Sequence, residues 1–172
     1  CVQKKSFDKV VDGVAAAARK MKIGDGFSKQ TELGPLISGQ QQSRVMSYIE
    51  AGRAEGTLVT GGKSAERPGY FVEPTIVTAK PQDRVFREEV FGPFVSVTAF
   101  STDEEALALA NGVAYGLGAG LWTRDLTRAH RFAKGIHAGM VWINCYKRVH
   151  PASPFGGVGQ SGYGREMGFE VM

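Results

Sequence analysis

Phe94-Val95-Ser96-Val97-Thr98-Ala99-Phe100, followed by Thr102 and Glu105, is the stretch that decides how this chain folds. The first run is β-branched and aromatic with weak alternation, which reads as a strand. Thr102 with Glu105 three positions on forms the capping box of a helix through Leu107, Leu109 and Ala110. Downstream the alternation continues. Leu117 to Trp122 is a short, glycine-laced apolar strand, Leu126 to Lys134 is helical, and Met140 to Asn144 reads as a buried strand. Upstream, Thr57–Thr60 is a strand closed by Gly61-Gly62, and Phe71 to Thr78 is extended but broken by Pro74, hence irregular or at a sheet edge. Ser38 opens a helix that buries Val45 and Ile49 and stops at Gly56. Ser6 caps an earlier one through Val10, Val11, Val14, Ala17, Ala18 and Met21. Strands alternating with helices predict an α/β fold, an open and largely parallel sheet flanked by helices.

The 172 residues fit one domain, long enough to bury roughly 70% of the surface its unfolded chain exposes. The composition is that of an ordinary globular protein, 42% hydrophobic and 22% charged. A net charge of +4 comes from scattered basic residues, the densest being Lys147-Arg148 near His150. A nucleic-acid partner would call for a longer basic stripe interleaved with aromatics, so none is expected. No apolar run reaches the length of a membrane span, and no membrane association is expected. Cys1 and Cys145 make neither a disulfide framework nor a metal spacing, which favours a reducing, cytoplasmic compartment. Cys145 reads as a packing residue, and Trp122 and Trp142 as core. Cys1-Val2-Gln3 reads like the middle of a longer protein and the apolar Gly168–Met172 ending lacks a cap, so truncation at both ends is expected.

Two glycine motifs fail on physical grounds. Gly157-Val158-Gly159-Gln160-Ser161-Gly162 matches G-x-G-x-x-G, but that fingerprint needs a following helix, a second strand and an acidic residue about twenty positions on. A compact glycine loop is the better reading. Gly62-Lys63-Ser64 resembles the tail of a phosphate-binding loop, yet its leading glycine, Gly56, is one position out of register. Glu88-Glu89-Val90-Phe91-Gly92-Pro93 is more promising. In extended backbone, Glu89 and Phe91 share one face. A carboxylate that grips a sugar diol beside a ring that supports a flat heterocycle makes half of a nucleotide-ribose site; a solvated turn is the other reading.

Taken in order, Leu33-Gly34-Pro35-Leu36, Gly69–Thr75, Glu88–Pro93, Ala110-Asn111, Tyr115-Gly116-Leu117, Gly139–Asn144, Pro154–Gly157, Ser161-Gly162 and Gly164–Glu166 resemble the NAD(P)-dependent aldehyde dehydrogenase superfamily over essentially the whole chain. The resemblance implies the C-terminal part of a catalytic domain, with NAD or NADP as cofactor and a small aldehyde as substrate. It implies that a cysteine thiolate attacks the aldehyde, that hydride leaves to the cofactor, and that water releases the acid. It places that nucleophile about seven positions before Cys1, and the general-base glutamate and cofactor-binding domain also upstream, so the chain alone is expected to be inactive. By resemblance, Glu89 holds both hydroxyls of the nicotinamide ribose and Phe91 and Leu117 lie beside the nicotinamide. Phe155 walls the aldehyde tunnel. Glu166 relays protons or, equally, pairs with Arg165 or another base. The intact protein is expected to be a homodimer or homotetramer. Two other readings stand beside this one: a non-catalytic binding or assembly module, and a fragment of a CoA-acylating semialdehyde dehydrogenase. Tyr146–His150 falls where the family shapes its tunnel mouth, and Lys147 with Arg148 there would attract an aldehyde carrying a carboxylate.

Overall fold

The computed structural model describes residues 1–169; Glu170, Val171 and Met172, the last part of the apolar ending, lie outside the described residues. The chain divides into two compact units, Cys1–Ser101 and Thr102–Met172.

The first unit runs β1 (Val2–Gln3), α1 (Phe7–Lys20), α2 (Gly39–Glu55), β2 (Thr57–Thr60), β3 (Thr75–Thr78), α3 (Arg84–Arg87), β4 (Phe94–Val97) and β5 (Ala99–Phe100). Its main sheet has the order β2-β3-β4, with β3 antiparallel to β2 and parallel to β4. Neighbouring side chains of a strand point to opposite faces, and β3 uses both. Val77 packs with Val45 and Ile49 of α2, while Ile76 packs with Val11 and Ala18 of α1 and with Val97. Each face of the central strand thus feeds a different helix. Pro74 stands just ahead of the first strand residue, a position that asks no donor of it, so β3 is central rather than the edge strand that Pro74 suggested.

The Phe94–Phe100 run is interrupted at Thr98 because it changes partners. Phe94–Val97 pairs with β3, and Ala99–Phe100 pairs in parallel with β1. Buried Thr98 serves both sides, its hydroxyl donating to the Ala79 carbonyl at 2.7 Å and its own carbonyl accepting from Val2 N at 2.9 Å. Ser38 caps α2 as expected, its Oγ accepting from Gln41 N at 3.2 Å. Ser6 sits at the N-cap of α1 but makes no side-chain cap bond; a short 3-10 turn, Lys4–Ser6, leads into the helix instead. Gly56 ends α2 at φ −126°, so it is no left-handed cap. What requires glycine there is the sheet, since a Cβ would lie 2.3 Å from the Thr78 carbonyl oxygen.

The second unit contains α4 (Asp103–Asn111), β6 (Tyr115–Gly116), β7 (Gly118–Leu121), α5 (Leu126–Gly135), β8 (Met140–Ile143) and β9 (Val158–Gly159). β7 and β8 pair in parallel, and β6 pairs antiparallel with β9. Thr102 caps α4 by accepting from Glu105 N at 3.1 Å. Asp103 then binds Arg128 and Arg131 of α5, which joins the start of one helix to the other. Asn111 joins their ends, donating to Gly135 O and accepting from His137 N, both at 2.8 Å. Two sequence expectations change here. β8 is half-buried along its length rather than buried, and Trp122 is 63% exposed rather than core. The G-x-G-x-x-G stretch is β9 and a tight turn, with Gly162 N bonded to Gly159 O at 3.2 Å and no α-helix after it among the described residues.

The α/β class holds, with helices flanking sheets whose longest pairings, β3 with β4 and β7 with β8, are parallel. The dependence on β3 is testable. Truncating fully buried Val77 to Ala should cost on the order of 2 kcal/mol, whereas exposed Val95→Ala on neighbouring β4 should stay within about 0.5 kcal/mol of wild type. Denaturant unfolding of both variants checks the difference.

Candidate functional site

The Glu88–Pro93 segment lies between α3 and β4 without entering the sheet. Its burial alternates: Val90 is 7% exposed and belongs to the α2 core, while Glu89 and Phe91 face solvent. Both candidate side chains are exposed. The backbone is not simply extended, however. Phe91 has φ +55°, a left-handed conformation that costs a non-glycine residue about 1–2 kcal/mol, and its ring is 74% exposed.

One face of α2 holds this conformation. Gln41, Arg44 and Tyr48 recur at three- and four-residue spacing and so line up along the helix. Gln41 Nε2 donates to the Phe91 carbonyl at 2.9 Å, with Val90 O further off at 3.5 Å. Arg44 Nη2 donates to the Glu89 carbonyl at 3.3 Å. Tyr48, buried apart from its hydroxyl's partners, donates to Glu88 Oε2 at 2.7 Å. The helix thus grips the segment at consecutive points. Burying Val90 contributes about 1.5–3 kcal/mol and the Gln41 bond about 1 kcal/mol, together enough to offset the strain at Phe91. Gly92 is needed for this fit, because a Cβ there would lie 2.6 Å from Val45 Cγ2.

The result is an exposed carboxylate and, two residues on, an exposed ring. Glu89 makes no side-chain hydrogen bond or ion pair to any described residue, whereas its neighbour Glu88 is bound through Oε2 by Tyr48 and Arg84. Phe91 also lines an open apolar hollow of roughly 450 Å³, together with Pro35, Leu36, Ile37, Gln41 and Gly92. Pro35 and Leu36 of the Leu33–Leu36 motif form part of its wall, held by Leu36 N to Tyr70 O at 2.9 Å.

Arg44, Arg84 and Tyr48 form a stack around Glu88. Arg84 Nε bonds Glu88 Oε2 at 3.0 Å, and its guanidinium lies 4.1 Å from the Tyr48 ring centre. The Tyr48 hydroxyl, then Arg84, hold the Glu88 carboxyl below the usual glutamate range. Gln41, Arg44 and Tyr48 were not singled out in the sequence. Their spacing on α2 was legible, but their partners are 40 to 50 residues away.

Leu117, Phe155 and Glu166 belong to the second unit. Phe155 and Glu166 are brought together by an antiparallel bridge, each N–H bonding the other's carbonyl at 2.7 Å. Arg165 does not pair with Glu166; its Nη1 donates to the Gly157 and Gly164 carbonyls at 2.8 and 2.7 Å. The Glu166 side chain is exposed and has no partner among the described residues. Leu117 joins β6 to β7, 46% exposed, with its carbonyl bonded to Met140 N at 3.0 Å. The glycines around these residues allow close backbone approach: a Cβ on Gly139 would lie 1.7 Å from Gly156 O. Cys1 is exposed and Cys145 partly buried, and among the described residues no cluster could hold a metal ion.

The aldehyde dehydrogenase family profile matches residues 1–172, and the chain belongs to that family. It is 44% identical over 169 residues to DhaS of Bacillus subtilis strain 168, covering 97% of this chain and 34% of that one. It is 42% identical to an aldehyde dehydrogenase of Paracoccus denitrificans, covering 96% and 34%. Among solved structures it is similar to PnpE of Pseudomonas sp. WBC-3, at TM-score 0.95 and 56% identity over 98% of this chain and 36% of that one. PnpE and the Bacillus cereus aldehyde dehydrogenase, the latter 44% identical at TM-score 0.96, have both been solved with NAD. The chain spans about a third of the length of the curated relatives it matches.

The Glu88 stack gives a pH prediction. A carboxyl held below its ordinary pKa contributes stability that is complete above that ordinary value, about 4.3, and is lost as pH falls through the depressed one. Wild type should lose thermal stability on acidification from about pH 4 downwards. Glu88→Gln should be less stable at pH 7 and show a shallower acid decline, measured as melting temperature against pH.

Proposed function

We propose that this chain is the part of an NAD(P)-dependent aldehyde dehydrogenase that receives the nicotinamide half of the cofactor and walls part of the aldehyde passage. The observation that carries the reading is the unpartnered Glu89 carboxylate beside the exposed, left-handed Phe91, on a loop fixed by α2. These residues fit the group they would hold. A carboxylate with both oxygens free can accept from two vicinal hydroxyls, and an exposed ring on a rigid loop offers a flat surface for a heterocycle.

When bound, NAD or NADP supplies a hydride acceptor. Glu89 anchors its nicotinamide ribose and Phe91 offers the ring a flat surface, while Leu117 and Phe155 of the second unit are assigned to the nicotinamide and the aldehyde by the family resemblance alone. Position matters steeply here, because hydride transfer needs the reacting atoms in near contact. Glu166 is the candidate proton relay, and its carboxylate, free of Arg165, leaves that role open to it. The thiolate that attacks the aldehyde and the base that activates water come from elsewhere in the intact protein. We place that protein in the cytoplasm as a homodimer or homotetramer.

Two outcomes follow. In the full-length protein, Glu89→Gln should weaken NAD binding by about tenfold or more, as loss of charge-assisted bonds predicts, and leave AMP binding unchanged, since AMP lacks the nicotinamide ribose. Arg44→Ala should act in the same direction but less, and Arg44→Lys should recover part of the loss. Titration calorimetry with NAD and AMP separates these; equal loss for both ligands would refute the assignment. The purified chain of 172 residues should reduce no NAD with any aldehyde, and measurable turnover would favour a complete site within it.

A further inference from the structure

We infer that Glu88 is a positioning residue: it occupies a cationic seat on α2 and α3 that would otherwise take the Glu89 carboxylate, and so keeps Glu89 free for its ligand. The inference rests on the reading of Glu89 as the ribose acceptor and adds the device that protects it.

Two adjacent glutamates meet two arginines here, and the backbone sorts them. Glu88 is extended, at φ −110° and ψ 149°, so neighbouring side chains leave the chain on opposite sides. Glu88 and Val90 take the side toward α2, and Glu89 takes the other. The seat that receives Glu88 is built from both helices. Tyr48, 2% exposed, directs its hydroxyl to Glu88 Oε2 at 2.7 Å and accepts from Arg44 Nη2 at 3.4 Å. Arg84 donates from Nε to the same Glu88 oxygen at 3.0 Å. The guanidinium of Arg84 lies 4.1 Å from the Tyr48 ring centre and that of Arg44 5.5 Å. Arg84 is fixed in turn by its own N–H, bonded to Glu55 Oε2 at 2.7 Å, and by Val85, buried in the α2 core.

The charges in this seat are uneven. Arg44 and Arg84 both bear on Tyr48, and Glu88 is the carboxylate that answers them; Glu55 commits its Oε2 to the Arg84 backbone, and Arg44 forms no ion pair among the described residues. Without Glu88, a buried hydroxyl and a guanidinium lose their acceptor, which is costly for both. The free carboxylate next along the chain is Glu89, whose carbonyl already accepts from Arg44 Nη2 at 3.3 Å. Turning the backbone by one residue exchanges the sides of the two glutamates, and a charge-assisted bond to a guanidinium is strong enough to favour the exchange. Glu89 held by Arg84 no longer offers its oxygens to a ribose diol. Glu88 thus acts through Glu89 and touches no ligand itself.

Titration calorimetry of the full-length protein with NAD and AMP tests this through rescue, which a merely structural role does not give. Glu88→Ala should weaken NAD binding by about fivefold and leave AMP binding unchanged. Glu88→Ala/Arg84→Ala removes the competing cation, and should bind NAD within about twofold of wild type even though its melting temperature is lower. Adding Glu89→Gln to Glu88→Ala should cause no further loss, because the captured carboxylate is already withdrawn from the ligand. If Glu88→Ala does not fold, the isosteric Glu88→Gln carries the same comparisons. Unchanged NAD binding in the Glu88 variant, weaker binding still when Arg84 is also removed, or losses that add across Glu88 and Glu89 each overturn the proposal while leaving the Glu89 assignment intact. If Glu89→Gln alone leaves NAD binding unchanged, the assignment falls and the proposal with it.

Discussion

The Gln41 amide bonded to the Phe91 carbonyl at 2.9 Å is the contact on which the rest of the account depends. A phenylalanine at φ +55° with its ring in solvent is a conformation that a free loop would abandon. It is kept because α2 supplies Gln41, Arg44 and Tyr48 in a row and because Val90, between the two exposed residues, is drawn into the α2 core. Backbone bonds to the carbonyls leave the Glu89 carboxylate unused, and that free acceptor is what a ribose diol would need.

The position of α2 is itself set by β3. Val77 fixes the helix against the sheet, and Gly52 and Gly56 let it approach closely, with an added Cβ at Gly52 lying 3.2 Å from Val77 Cγ2. Packing and site are therefore linked through one helix: the buried face, with Val45 and Ile49, holds the sheet, and the polar face holds the loop. A rigid element bearing on a strained loop is a common way to keep a binding geometry ready before the ligand arrives. The second unit repeats the arrangement with different parts, where Trp142, Tyr146 and Asn144 hold a segment whose strain falls on Lys147.

How much of this was legible depends on the range of the interactions. Local signals served well: Ser38, Thr102 and the break at Gly61 placed α2, α4 and β2 to within a few residues, whereas Pro74 wrongly marked β3 as irregular or at an edge. Signals that depend on distant partners did not. Thr98 reads as mid-strand because nothing local shows that the strand leaves β3 for β1 there. Trp122 reads as core because its surroundings are apolar, although it supports an exposed loop. Glu89 and Phe91 were visible as a spaced pair and through the family likeness. The residues that hold them were hidden, since Gln41 and Arg44 look like any solvent-facing polar positions on a helix until Glu88–Phe91 is laid across them. Asn111 was visible only as part of a family signature, and its reason, joining the ends of α4 and α5, came from the fold.

The central claim is that this loop is shaped for the nicotinamide ribose, and a crystal structure of the full-length protein with NAD tests it most directly. The account predicts both ribose hydroxyls within hydrogen-bond distance of the Glu89 carboxylate, with the Phe91 ring against the nicotinamide and the Gln41 bond to Phe91 intact. A nicotinamide ribose bound elsewhere, with Glu89 solvated and Phe91 relaxed to negative φ, would contradict it.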